Sequence, residues 1–414
     1  MQLVEQHTIK SNEWRDWCVK AKELYNQTLY YWRQSMFGNI QYFSEYEILG
    51  LFREFDEPTF KALPSHCGQE VIKNLFENIK SWQRARKEYG KDPSKFLGKP
   101  KMPKYKKELS ILGFNNGQIK LKNGYIHFPK MIGISPIKTK IPKDSKLGCC
   151  RVVPKNDHFV VEFVYEVKEK TLLEIDSNQI GIDLGLNNLV CMVSTNGESE
   201  IINGKPLKAI NNFYNKRIAK LKSKLPLLPK SFKTKTGNRI QVGKSKAIRR
   251  LALSRNNKIK NYIHHASKYI VNFAQKTNCT QIVIGNNKNW KQGVNLGSKI
   301  NQSFVSIPYS QLINQIEYKC KLNGITVYVS EESYTSKCSS YDLEEVGKHE
   351  VYVGKRTKRG LFRTKDRIYI NADANGAVNS LRKVSENVVK QSIDFVRSAV
   401  IAPRKLLPIT RKVA

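Results

Sequence analysis

The sequence predicts an α/β domain in the second half of the chain and a small all-β domain in the first half, the latter interrupted by helices. Three observations predict it. Residues 179–197, QIGIDLGLNNLVCMVSTNG, read as a β-hairpin with one carboxylate set in it. The apolar strands 281–284 and 324–330 flank an amphipathic helix, 310–321, and strand, helix, strand implies a parallel pair. Before residue 168, short alternating strands separated by turns recur as in a small β-barrel.

The hairpin sets one residue apart. Ile180, Ile182 and Leu184 alternate with Gly181, Asp183 and Gly185, and Leu189 to Val193 then run apolar up to the turn residues Asn196 and Gly197. Asp183 therefore falls mid-strand. A carboxylate there is unfavourable in a buried sheet unless something compensates it, and the nearby glycines leave open backbone for a bulky partner such as a hydrated metal and a phosphate. An exposed edge-strand Asp is the competing reading.

Charge narrows the choice of partner. Lys and Arg number 72 against 35 Asp and Glu, a formal net charge of +37 over 414 residues. That excess is more than solubility requires and points to a polyanion. Between Glu200 and Glu317 there is no acid at all, whereas a solvated helix face would mix signs. With 40% hydrophobic residues the chain is long enough for two or three domains. Eight scattered cysteines without a C-x-x-C pair argue against a disulfide framework and against a zinc site. MQLVEQHTIK at the N-terminus has no apolar core, and no window reaches about 18 apolar residues, so the expected location is cytoplasmic or nucleoid-associated.

In chain order, residues 1–10 predict a strand. A helix follows with Ser11 as its N-cap and Trp14, Trp17, Cys18, Ala21, Leu24, Tyr25, Leu29 and Trp32 at helical spacing. Most of these read as core, and a minority stay open to base stacking. A second helix is predicted over 68–89. Residues 95–107, KFLGKPKMPKYKK, cannot be a helix interior. Lys95, Lys99, Lys101, Lys104, Lys106 and Lys107 read there as mobile point charges on an extended arm that tracks a phosphate backbone, with a solvated linker as the alternative. Strands are predicted at 118–121, 125–128, 137–141, 148–153 and 158–167, and a linker at 168–177 leads into the α/β domain. Basic helices interrupt that domain over 207–275, and Ile259, Ile263, Ala266, Ile270 and Phe273 give them a stripe that packs on the sheet. A last strand at 368–371 runs into Asp373 and a short helix, and residues beyond about 385 read as a trailing helix and tail.

The hairpin resembles the first motif of the RuvC-like nucleases of the RNase H fold. With NNKNWKQ at 286–292, NQSFVSIPYSQL at 301–312, EESYTSKCS at 331–339, GKRTKRGLF at 354–362 and INADANGAVNSLRK at 370–383, the chain resembles the transposon-encoded TnpB family of RNA-guided endonucleases over nearly its whole length. The resemblance implies a RuvC-like nuclease domain at 178–385, with a basic helical insertion at 207–275 and a hairpin insert at 336–368. It implies a β-rich wedge domain, 1–10 and 95–177, interrupted by a helical recognition lobe at 11–94, and a tail at 386–414. Lys288, Trp290, Lys291 and Gln292 are then expected to contact nucleic acid, as are Arg356, Arg359 and Arg363 of the insert. Asn375 is expected either to join them or to orient a ligand or water.

Phosphodiester cleavage by this fold uses two divalent ions about 3.5–4 Å apart, and hard oxygen ligands select Mg²⁺ or Mn²⁺. The expected ligands are Asp183, bridging the ions, and Asp373 at a strand-to-helix junction. The third acid is the problem. Where the commoner family pattern places a Glu straight after the QIVI strand, this chain has Gly285 and Asn286. Glu331 and Glu332, at the end of the next strand, are the candidates, and this resembles a TnpB subgroup whose glutamate has moved to the EESYTS position. Alternation lets only one of the two face the site, and Glu332 is favoured. Family members commonly carry two C-x-x-C pairs before the last acid. Here Cys338 with His349 cannot make a tetrahedral site, so the insert is expected to hold no zinc.

The expected function is RNA-guided, metal-dependent cleavage of double-stranded target DNA beside a short adjacent motif, by one chain on one guide RNA. A nuclease-dead guided repressor, an effector using a CRISPR-type guide, and a plain nucleic-acid-binding scaffold stand open beside it. Retention of both Asp183 and Asp373 weighs against loss of cleavage.

Overall fold

The computed structural model describes residues 1–10, 12–38, 43–155, 158–176, 178–225, 245–286 and 306–408. The chain divides into two units, Met1–Lys168 and Glu169–Ala414.

In the first unit, β1 (Gln2–Ile9) precedes four helices, α1 (Asn12–Phe37), α2 (Glu45–Glu54), α3 (Pro58–Lys61) and α4 (Ser65–Lys91). Six strands follow: β2 (Leu112–Phe114), β3 (Lys120–Lys122), β4 (Tyr125–His127), β5 (Ile137–Lys138), β6 (Leu147–Lys155) and β7 (His158–Glu166). Trp14, Cys18, Ala21, Leu24, Leu29 and Trp32 form the buried stripe of α1. They share one core with Val71, Ile72, Leu75 and Ile79 of α4, so the helical spacing read from sequence is packing. The expected cap, Ser11, lies outside the described residues. Helix α2 was not anticipated, yet its start carries a local signal. Ser44 Oγ accepts from Glu47 N at 3.3 Å, while Glu47 Oε2 accepts from Ser44 N at 2.6 Å, a reciprocal capping box.

The strands of this unit do not close into the expected barrel among the described residues. They form an open antiparallel sheet, β1-β7-β6-β2, and a separate three-stranded sheet, β3-β4-β5. The short members explain this: β2 to β5 have only two or three residues each, which leaves too few ladder hydrogen bonds to tie one sheet to the other.

The second unit is built on a six-stranded sheet. Its strands and helices in order are β8 (Gln179–Leu184), β9 (Asn188–Ser194), β10 (Ser199–Asn203), α5 (Lys205–Lys222), α6 (Lys246–Lys276), β11 (Gln281–Gly285), α7 (Tyr309–Lys321), β12 (Thr326–Ser330), β13 (Lys355–Lys358), β14 (Leu361–Arg363), β15 (Tyr369–Asn371), α8 (Ala372–Gln391), α9 (Ile393–Ile401) and β16 (Arg404–Leu406). The sheet runs β12-β11-β8-β9-β10-β16. Strands β8, β9 and β10 are an antiparallel meander, and β11 is parallel to both β8 and β12.

Period-2 alternation sorts the two faces. Ile180, Ile182, Ile282 and Ile284 enter one core with Ile259, Ile263, Ile270 and Leu312 of α6 and α7. Val283, Cys191 and Val193 enter a second core with Ala374, Ala377, Val378 and Leu381 of α8. Asp183 and Gly285 belong to that second face. Helix α8 lies directly on β8: a Cβ at Gly181 would stand 2.2 Å from the Ala377 carbonyl oxygen, so only glycine permits the contact.

Two features complete the second unit. The last predicted strand, now β15, belongs to a small sheet with β13 and β14. Beyond residue 385, in the expected tail, β16 adds to the central sheet parallel to β10. Three residues are too short a run to carry a strand period, which hid it.

Candidate functional site

Asp183, Glu332 and Asp373 line one cleft of about 510 Å³, together with Asn188, Lys205, Arg356, Arg359 and Lys405. Each acid is placed by a different device. Asp183 is the penultimate residue of β8, opposite Cys191, and alternation turns it to the α8 face, where a Cβ built on Gly376 would lie 3.2 Å from its Oδ1. Asp373 stands in the first turn of α8, beneath an Asn371 cap whose Oδ1 accepts from Asp373 N and Ala374 N at 3.0 and 3.1 Å. A carboxylate is favoured there by the helix dipole.

Glu332 follows β12, and its side chain lies over the end of β11. A Cβ on Gly285 would meet Glu332 Cγ at 2.8 Å and Ser380 Oγ at 2.6 Å. Gly285 therefore leaves the space that Glu332 fills. A side chain at 285 and the present position of Glu332 exclude one another. Glu331 is exposed and does not line the cleft; the Lys383 ammonium donates to its carbonyl oxygen instead.

The electrostatics of the cleft are those of crowded acids. Burial first, then the charges of Glu332 and Asp373, push the Asp183 carboxyl well above the usual carboxylate range, with Arg356 opposing. Burial pushes Glu332 up to about 7, opposed by Lys383. Asp373 has one cation and one neutral donor beside it: Arg356 Nη2 is 3.5 Å from its Oδ1, and Asn188 Nδ2 donates to its Oδ2 at 2.6 Å. Among the described residues no group of three or more His, Cys, Asp or Glu side chains is already placed to hold a metal ion. The three acids share a cleft and offer only hard oxygens, and that donor set is of the kind a hard divalent cation takes.

The remaining expected residues divide. Arg356 and Arg359 line the cleft, whereas Arg363 on β14 is half-buried outside it. Lys288, Trp290, Lys291 and Gln292 lie outside the described residues. Asn375 does not face nucleic acid: it is fully buried, its Oδ1 accepts from Ser340 N at 2.8 Å, and its Nδ2 donates to Cys338 O at 2.9 Å. Satisfying two backbone groups of the insert leaves it no face to offer a ligand or a phosphate. Of the arm, Lys95, Lys99, Lys101, Lys104 and Lys107 are exposed. Lys106 turns inward, with its Nζ 2.8 Å from Ser110 Oγ and 3.7 Å from the Tyr25 ring centroid, and burial lowers its pKa. The arm is pinned along α1 and α4 by Arg33 and Trp82, which donate to the carbonyls of Pro103 and Pro100.

In the insert, Cys338 Sγ lies 3.5 Å from Gly347 O, and His349 Nε2 pairs with Glu345 O at 2.8 Å. Carboxylates knit the loop. Glu344 accepts from Ser339 N and Val353 N, Asp342 from Lys365 N, and the buried Arg382 donates to the carbonyls of Glu344 and Leu343. Sequence reading missed Asn188, Lys205 and Lys405 in the cleft. An Asn in a hairpin turn and lysines in a lysine-rich chain carry no signal that sets them apart.

Two family models match the chain: OrfB_IS605, described as a probable transposase, over residues 162–291, and the Cas12f1-like TNB domain over residues 309–380. Over these two segments the chain is similar to the OrfB_IS605 probable transposases and to the TNB domain of Cas12f1-like proteins. It is similar to the TnpB-like protein ORF457 of Acidianus two-tailed virus, 26% identical over 227 residues, which are 52% of this chain and 44% of that protein. The match thus spans under half of that relative's length. Among solved structures, the Cas12f1–sgRNA–target DNA complex gives a TM-score of 0.38 at 17% identity, covering 91% of this chain and 98% of that one. A mini-RNA-guided endonuclease, Cas-phi3, gives 0.43 at 11% identity, covering 97% and 93%.

Proposed function

We propose that the chain is an RNA-guided DNA endonuclease whose second unit is a RuvC-like nuclease domain. The convergence of Asp183, Glu332 and Asp373 on one cleft rimmed by Lys205, Lys405, Arg356 and Arg359 carries this reading. Asp183, Glu332 and Asp373 would hold Mg²⁺ or Mn²⁺, two ions in the expected arrangement. Bound there, the ions would supply an activated water and stabilise the leaving oxygen.

The chain's own residues supply the rest. Of the rim cations, Lys205, Arg356 and Arg359 orient the phosphodiester strand by charge-assisted contacts, and Arg356 has to give up Asp373 when it engages the strand. Asp183 and Glu332 are partly buried, so that charge brought to the cleft is felt more strongly than at the open surface. In the first unit the exposed lysines of the arm track the guide RNA backbone, while the helices serve as a recognition lobe and the sheets as a wedge. Guide pairing supplies the sequence specificity.

The test uses the chain with its co-purified RNA and a matching DNA duplex. Wild type cleaves in Mg²⁺ and stops in EDTA, and Asp183→Ala keeps RNA and DNA binding but cuts at least a hundredfold more slowly. Equal cleavage by Asp183→Ala refutes the proposal, and a wild type that binds guided DNA without cutting assigns the chain to guided repression.

A further inference from the structure

We propose that Lys405, on the edge strand β16, is a positioning residue that acts through Asn188 to hold the Asp373 carboxylate for a divalent cation. The proposal rests on Asp373 being a cation ligand, as set out above. Lys405 Nζ donates to Asn188 Oδ1 at 2.5 Å, and Asn188 Nδ2 donates to Asp373 Oδ2 at 2.6 Å. The direction of this chain is fixed by what each group can do. An ammonium only donates, so it takes the amide oxygen and leaves the amide hydrogens for the carboxylate. Without Lys405 the amide is free to turn, and the turned form sets Oδ1 against a carboxylate oxygen.

The relay starts from a clamped turn. Gly204 N donates to Asn187 O at 2.8 Å, Lys208 Nζ donates to Asn187 Oδ1 at 2.7 Å, and Gly185 N donates to Leu189 O at 3.2 Å. Lys405 arrives from the far side because β16 pairs in parallel with β10, opposite Ile201. The two oxygens of Asp373 then have unlike holders. Oδ2 is fixed by the relay, whereas Oδ1 faces Arg356, an exposed hairpin residue that can withdraw. One oxygen stays oriented while the other is released to a cation. Partners that orient a metal ligand commonly matter about 10–100-fold in affinity or activity.

The rival role for Lys405 is a direct phosphate contact, and a set of variants of the full chain separates the two. Lys405→Met, Lys405→Arg, Asn188→Ala and the Lys405→Met/Asn188→Ala double variant are compared. The readouts are cleavage rate, DNA affinity, and Mn²⁺ binding to the RNA-free chain by equilibrium dialysis, with Asp183→Ala as blank. Lys405→Met and Asn188→Ala should each slow cleavage and weaken Mn²⁺ binding about tenfold with DNA affinity unchanged. The double variant should be no worse than Asn188→Ala, and Lys405→Arg should restore wild-type values. Additive losses, or lost DNA affinity with intact Mn²⁺ binding in Lys405→Met, overturn the relay in favour of a phosphate contact. If wild type binds no Mn²⁺ above the blank, the cation reading of Asp373 fails and the relay with it. If wild type binds Mn²⁺ and Lys405→Met binds it equally, the relay alone fails.

Discussion

Glu332 and Gly285 make sense only as a pair. A side chain at 285 would collide with Glu332 Cγ, so the absence of a Cβ on β11 is what admits the acid from the end of β12. Gly285→Ala should therefore slow cleavage about tenfold or more, because displacing a reacting group by a fraction of an ångström disturbs its alignment. RNA loading measured on the same preparation should not change, and wild-type cleavage would show that the space over β11 is not needed. The raised acid also carries a pH signature. Glu332 in the fold has its pKa pushed up to about 7, above the unfolded value of 4.5. Its contribution to stability is thus fully present below about pH 4.5 and is lost as pH rises through 7. In EDTA, Glu332→Gln should raise the melting temperature at pH 8 and leave it nearly unchanged at pH 4.5. A variant that melts with the wild-type pH dependence would place the strained charge elsewhere.

At the scale of elements, α8 serves the site twice: its first turn presents Asp373, and its buried polar face ties down the insert. Asn375, Asn379 and Arg382 donate to the carbonyls of Thr335, Cys338, Leu343 and Glu344. Asn375→Ala strands the Ser340 N–H and should lower stability by about 1–3 kcal/mol, read as an earlier melting transition, with RNA affinity unchanged. Loss of RNA affinity without loss of stability would restore Asn375 to the nucleic-acid interface. The sequence made Asn375 look functional because an Asn two residues from the proposed ligand Asp373 has the same letters whether it faces in or out. Apolar composition made β8 and β11 legible as strands buried on both faces, and period made α7 and the stripe on α6 legible, since each helix buries one face and so writes that face into its spacing. Strand β16 was illegible because its partner, β10, lies two hundred residues away in sequence and its three residues have no period of their own. The acids were legible by chemistry, whereas Asn188 and Lys405 are defined only by where the fold brings them.

At the scale of the whole molecule, the excess of 37 positive charges fits the guide RNA proposed as partner. Affinity for the co-purified RNA should fall steeply and log-linearly with salt, with a slope of about −0.7 per neutralised phosphate for single strands. An affinity insensitive to salt would remove charge as the basis of binding. The most direct measurement reprogrammes the guide. With the targeting segment of the bound RNA exchanged, Mg²⁺-dependent cleavage should move to the new complementary DNA. It should persist in Glu331→Ala and be lost, with RNA and DNA still bound, in Glu332→Ala. Cleavage that ignores the exchanged guide, or that survives unchanged in Glu332→Ala, would contradict RNA-guided cutting at the cleft of Asp183, Glu332 and Asp373.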